Sequence, residues 1–194
     1  MKNVISILIL VLSVSLSAQI NNEHLKVGEK APQIIGVDQN GKKINSTEIL
    51  KQNKILMVFY RGNWCPHCKK HIGSLQEHLN EFTKKGIFVM VVTPESIDKT
   101  KETAEKWKTN FSIVHDVNNK IMNNYKVAFE VNKENVPNYY GYVTNKVASY
   151  NVENNNVLPV PATYIIDQNG KISYVQYDPD YKNRSDFSEI LKSL

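Results

Sequence analysis

A Cys-Pro-His-Cys stretch at residues 65–68 holds the only two cysteines of this 194-residue chain, and it constrains the sequence more than any other feature. It follows an apolar run, Ile55-Leu56-Met57-Val58-Phe59-Tyr60, and opens a segment with helical periodicity. A dithiol of that spacing at a strand-to-helix junction reads as a redox centre. Backbone N–H groups at the helix start, and the positive end of the helix dipole, favour a thiolate on Cys65. Pro66 falls at the first helical position, where its missing N–H costs nothing. A protonated His67 would add positive charge and lower the Cys65 pKa further. Two other readings compete. Free cysteines also pack as small hydrophobes, but Pro-His between them at a helix start argues for chemistry. A zinc site with His67 or His71 would need further ligands. No second cysteine pair exists, and His24, His78 and His115 are scattered. No metal and no cofactor is expected.

The length suits one well-packed domain. The formal charge of +5 comes from lysines spread along the chain, and the only arginines are Arg61 and Arg184. No basic stripe interleaves with aromatics, so nucleic acid is not an expected partner. Residues 1–18 stand apart: Lys2, an apolar Val4–Leu12 core, then a small-residue tail ending at Ala18. They read as a secretory signal peptide cleaved near Ala18, leaving a domain over residues 19–194. The apolar core is too short for a convincing membrane span, so no stable membrane insertion is expected after cleavage. No cysteine follows the tail, and no lipid attachment is expected there. The expected location is outside the cytosol, periplasmic or secreted, where a disulfide can persist.

Asn21–Ala31 reads as an irregular lead-in. Residues 33–37 and 42–45 flank Asp38-Gln39-Asn40-Gly41 as a hairpin. Ser46 is expected to cap a short helix through Leu50. Lys54–Tyr60 is a continuous apolar strand of the kind buried on both faces of a parallel sheet. A helix over 66–84 carries Ile72, Leu75, Leu79 and Phe82 on one stripe. A strand at 87–92, a Ser96-capped helix over 97–107 with Trp107 as a buried anchor, and a strand at 111–114 complete a βαβαβ rhythm. Asp116 starts a brief helical turn through Tyr125. Residues 130–157, rich in Asn and Tyr, read as an insertion with room for a helical part: a polar surface loop by preference, or a flap shaping access to the sulfurs. A strand over 158–167, a turn at Gln168-Asn169-Gly170 and an antiparallel return over 171–177 follow. Ser185 is expected to cap a last helix with Phe187, Ile190, Leu191 and Leu194 facing inward.

This order, with Trp64-Cys65-Pro66-His67-Cys68 and Val160-Pro161-Ala162-Thr163, resembles the thioredoxin fold: an α/β architecture with a central mixed sheet flanked by helices. The resemblance implies a cis-proline at Pro161, Pro159 being the competing candidate, with Val160 offering backbone groups to a substrate disulfide. Nearly the whole mature chain is similar to the peroxiredoxin-like, AhpC/TSA-type redoxins, on Phe59–Cys68, Leu158–Asp167 and Tyr177-Asp178-Pro179-Asp180-Tyr181. There are departures. The family's Pro-x-x-x-Thr/Ser-x-x-Cys frame places Arg61 at the proline, Cys65 at the threonine and Cys68 at the peroxidatic cysteine. The family's activating arginine has no evident match, because Arg184 lies in the terminal segment.

The expected activity is that of an exported thiol oxidoreductase. Cys65 attacks a substrate disulfide and Cys68 resolves the mixed disulfide, with Arg61, Trp64, Pro66 and His67 tuning the thiolate and Val160 and Pro161 binding substrate. Arg61 reads equally as a surface charge. Partners would be protein or small-molecule thiols and disulfides, with a thioredoxin-like or other thiol electron donor. One alternative is a thiol peroxidase that reduces hydroperoxides through a sulfenic acid. Another is a Sco-like copper chaperone, since soft thiolates suit Cu(I).

Overall fold

The structure, a computed structural model, describes residues 23–151, 153 and 156–194; the expected signal peptide lies outside the described residues. The centre is set by β3 (Lys54–Phe59), in which every residue after Lys54 is buried. Side chains alternate across a strand. Leu56 and Val58 therefore enter one apolar cluster with Cys65, Cys68, Ile72 and Leu75, while Ile55, Met57 and Phe59 enter a second with Tyr125 and Tyr164. A strand covered on both faces must be apolar throughout, which is why this run shows no polar alternation.

β3 runs parallel to β4 (Ile87–Thr93) and antiparallel to β8 (Ala162–Ile166). The seven-stranded sheet has the order β2-β1-β5-β4-β3-β8-β9, with β1 Ile35–Asp38, β2 Lys43–Asn45, β5 Ser112–His115 and β9 Ile172–Tyr177. β4 and β5 pair in parallel; the β1–β2 and β8–β9 hairpins are antiparallel. Helices α2 (Pro66–Lys84) and α6 (Phe187–Lys192) cover one face, with Trp107 of α3 (Ile97–Trp107) joining that cluster. Ile49 of α1 (Ser46–Leu50) and Ile121 and Met122 of α4 (Lys120–Asn124) cover the other.

Three helix ends differ from the sequence expectation. Asn45, not Ser46, caps α1, because Ser46 Oγ instead accepts from the Ile34 N–H inside the hairpin. Asp186 rather than Ser185 caps α6, accepting from Ser188 and Glu189. Leu194 lies past the end of α6 and is exposed.

The larger correction concerns residues 130–157. A surface loop would leave all of these side chains in water. Most of the described ones are exposed or half-buried, yet Val131, Val143, Val147 and Asn151 are buried. β6 (Ala128–Glu130) pairs with β7 (Val157–Pro159) as a small second sheet. Between them α5 (Tyr140–Tyr150) buries Val143 and Val147 against Val131, Leu158 and the Trp64 ring. Two valines one helical turn apart, with Trp64 supplied from elsewhere in the chain, suffice for a core stripe too sparse to show as a period. The Ser96 N–H, donated to the Tyr150 carbonyl at 2.8 Å, ties the end of α5 to the start of α3.

Candidate active site

Cys65 is the N-cap of α2, and its sulfur accepts the Cys68 N–H at 3.4 Å. Ser, Thr, Asp or Asn usually fills that role; here a cysteine sulfur does. Pro66 follows at the first helical position, as the sequence suggests. The two thiols are unbonded and both buried, Cys65 at 5% exposure and Cys68 at 1%. Their environments push them apart. A hydrogen bond from the Cys68 thiol, with the Cys68 N–H and the charges of Arg61 and Arg184, lowers Cys65 to about 6 against the cost of burial. Burial, together with that same bond and the Cys65 charge, pushes Cys68 well up. One sulfur is a poised nucleophile and the other a protonated donor beneath it.

Of the cations beside the sulfurs, Arg61 is one that the sequence singles out and Arg184 is not. His67 turns its ring edge-on to Tyr181, 5.3 Å between centroids, and is not among the leading causes of the Cys65 shift. Arg184 is among them. Its Nη2 donates to Cys68 Sγ at 3.8 Å, although more than a hundred residues separate them. Arg61 is 6% exposed, which rules out the surface-charge reading, and its guanidinium stacks 4.5 Å over the Tyr181 ring. Neither arginine has an ion pair among the described residues, and Nε of each lacks a hydrogen-bond partner there. Burial lowers the Arg61 pKa, and the two sulfurs oppose that.

Below the dithiol, His71 stacks on Phe187 at 4.6 Å, with Nε2 3.1 Å from Ser185 Oγ. That hydroxyl lies 2.7 Å from Thr163 Oγ1 of β8. Burial lowers His71 to about 4, helped by Arg184, so the ring is neutral at physiological pH. The network pins Ser185, and with it the adjacent Arg184. Among the described residues no three His, Cys, Asp or Glu side chains converge as a metal site.

Behind the loop that leads to Cys65 sits Glu95, fully buried. It accepts from Tyr60 Oη at 2.5 Å, from the Asn63 N–H at 2.9 Å and from Thr103 Oγ1 at 3.5 Å. Burial nevertheless raises it to about 7. Gly62 belongs to the same turn. A Cβ there would overlap the Trp64 indole nitrogen and come within 3.1 Å of Glu95 Oε1, so only glycine allows this approach. Nothing in the sequence around Glu95 distinguishes it from a residue at a helix start. Arg184 carried one faint signal, as one of two arginines in a lysine-rich chain.

No cis peptide bond occurs among the described residues, so Pro159 and Pro161 are both trans. Trans is the intrinsically preferred state of an X–Pro bond. The Val160 N–H, expected to meet substrate, is already donated to the Val127 carbonyl at 2.7 Å. Val160 and Pro161 nonetheless line a pocket of about 480 Å³ with Arg61, Trp64, Cys65, Pro66 and His67. Its opposite wall is the inserted segment, from Asn135 to Val143.

Residues 27–175 match the AhpC/TSA family, and the chain belongs to that family. It is 23% identical over 167 residues to a putative peroxiredoxin Q, chloroplastic, of Oryza sativa subsp. indica, covering 86% of this chain and 65% of the relative. It is 28% identical over 103 residues to peroxiredoxin Bcp of Escherichia coli, covering 53% of this chain and 65% of that protein. The chain thus spans just under two thirds of these relatives. The thiol-disulfide oxidoreductase ResA of Bacillus thuringiensis is 21% identical, at 89% and 80% coverage. Among solved structures, peroxidoxin BcpB of Mycobacterium tuberculosis superposes with a TM-score of 0.67 at 16% identity, covering 88% of this chain and 96% of that one. The thioredoxin domain of a thiol-disulfide oxidoreductase from Bacteroides vulgatus does so at 0.59 and 19% identity, covering 87% and 98%. The fold is the thioredoxin-like fold of peroxiredoxins.

Proposed function

We propose that the protein is a thiol–disulfide oxidoreductase in which Cys65 attacks and Cys68 resolves. The supporting observation is the division of labour between the sulfurs: an acidified Cys65 on the pocket wall and a buried, protonated Cys68 hydrogen-bonded to it. The Cys65 thiolate attacks one sulfur of a substrate disulfide, forming a mixed disulfide and expelling a thiolate. Cys68 then loses its proton and attacks the Cys65 sulfur. The second substrate thiolate leaves, and the chain holds a Cys65–Cys68 disulfide. Two electrons have passed from protein to substrate, and a thioredoxin-like or other thiol donor would restore the dithiol. With an oxidised resting state the same steps run in reverse. The hydrophobic start of the chain (Val4–Leu12 after Lys2) supports an exported location for this cycle.

Trapping tests the assignment. With Cys68→Ala, a small disulfide should leave a stable adduct on Cys65 that the wild type resolves. No adduct on Cys65 in the variant, or reduction of the disulfide by the wild type no faster than by a free thiol, overturns it. Two guanidinium groups beside the sulfurs favour a second reading, a thiol peroxidase whose sulfenic acid on Cys65 condenses with Cys68. Stopped-flow oxidation of the reduced protein by hydrogen peroxide, followed by Trp64 fluorescence, separates the two. A rate orders of magnitude above a free thiol selects the peroxidase.

A further inference from the structure

The pocket over Cys65 combines three features that together describe a ligand. First, apart from the Cys65 sulfur, its charged side chains are cationic. Arg61 and Lys182 line it, and no Asp or Glu does. The acids of the adjoining loop are turned onto that loop's own backbone and amides: Asp178 accepts from the Asp180 N–H and from Asn183 Nδ2, and Asp180 accepts from the Lys182 N–H. Arg61 is more than nine-tenths buried, has no carboxylate partner among the described residues, and has an unpartnered Nε. Arg61 and Arg184 together place two positive charges against the single negative charge of the Cys65 thiolate.

Second, the walls are flat and apolar. Trp64, Phe129, Val136, Pro161 and Tyr181 line it, while Tyr139 and Tyr142 stand at the rim with 59% and 52% of their surfaces exposed. Exposed rings beside a cationic floor suit an apolar or aromatic body that carries a carboxylate. Third, the edge that could take an extended chain is closed. The Val160 N–H is held by the Val127 carbonyl, and β6, β7 and α5 build the opposite wall. Strand addition needs free backbone donors along the edge. A volume of about 480 Å³ lies within the roughly 300–1,000 Å³ of small-molecule sites.

From this we infer that the substrate of Cys65 is a low-molecular-weight disulfide with a carboxylate close to an apolar or aromatic body, not an extended segment of a protein. The inference rests on the thiol–disulfide reading above. A carboxylate on Arg61 would hold the disulfide with one sulfur over Cys65, while Lys182 at the rim attracts it. The electron balance is that already given: one disulfide in, two anionic thiols out, one Cys65–Cys68 bridge formed.

The test uses the reduced full-length chain and four disulfides: dithiobis(nitrobenzoate), neutral dithiodipyridine, cationic cystamine and a linear peptide disulfide without charged side chains. Each rate with the protein is divided by its rate with free cysteine at the same pH, which removes the intrinsic reactivity of the disulfide. The expected order places the aromatic dianion first by at least about tenfold at low salt. That lead should shrink at high salt and shrink several-fold in Lys182→Glu. Normalised rates that are equal across charge, or led by cystamine or the peptide, overturn the inference while leaving disulfide exchange intact. Normalised rates near unity for all four overturn disulfide exchange itself. Dithiodipyridine equal to the dianion, with both far above cystamine, also overturns the carboxylate assignment.

Discussion

At the scale of single residues, reactivity depends on a hydrogen bond between two thiols. The bond from Cys68 is the largest cause lowering Cys65, ahead of the Cys68 N–H and the two guanidinium groups. Cys68→Ala removes this donor and leaves both arginines in place. The pH midpoint of Cys65 alkylation by iodoacetamide should lie near 6 in the wild type and move up in the variant. An unchanged midpoint would assign the acidity to Arg61 and Arg184 instead. The dithiol, its proline and its place at a helix start were readable from sequence, because they are local: four consecutive residues and the first turn of α2. Arg184 was not, since it reaches Cys68 from a segment whose spatial position only the folded sheet and α6 establish.

At the scale of elements, most boundaries follow from short-range chemistry, and the failures share a cause. Ser46 and Ser185 look like helix caps, but Ser46 is engaged by the Ile34 N–H just before β1 and Ser185 by Thr163 of β8, leaving Asn45 and Asp186 as the caps. Asp116 shows the reliable case. Its carboxylate accepts the N–H groups of Ile121 and Met122 at 2.7 and 2.8 Å while buried, so it holds the start of α4. Asp116→Ala should cost about 1–3 kcal/mol in urea unfolding, through the lost bonds and the orphaned donors. An unchanged midpoint would show that water replaces the carboxylate freely. The insertion itself and a helical part within it are legible, but the pairing of β6 with β7 and the packing of α5 are not, because its few apolar side chains are buried by Trp64, a residue more than sixty positions before the start of α5.

At the scale of the whole molecule, Glu95 joins the ends of β3 and β4 to α3 and to the turn before Cys65. Its pKa is raised from an ordinary 4.5 to about 7, chiefly by burial. Between those values the folded chain retains a proton that the unfolded chain has lost, so folding stability falls as pH rises from about 4.5 to 7 and then levels. The size is roughly 3 kcal/mol. Cys65 and His71 are lowered in the fold and act in the opposite sense, so the measurement is a difference. Wild-type stability minus that of Glu95→Gln, from urea titrations across this range, should fall with pH. A flat difference would place the Glu95 proton in water rather than in the core.

Legible from the chain's own residues are the Cys65–Cys68 pair at a helix start, the central apolar strand with its flanking helices, and the family resemblance. Each of these rests on neighbouring residues or on a period within one element. Tertiary structure decided which cations serve the thiolate, that the proline before β8 is trans, that Val160 has no free N–H, and that the Asn- and Tyr-rich insertion walls the pocket. These depend on pairs far apart in the chain. Coulomb energies and hydrogen bonds act over a few ångströms of space, and sequence separation does not report that distance.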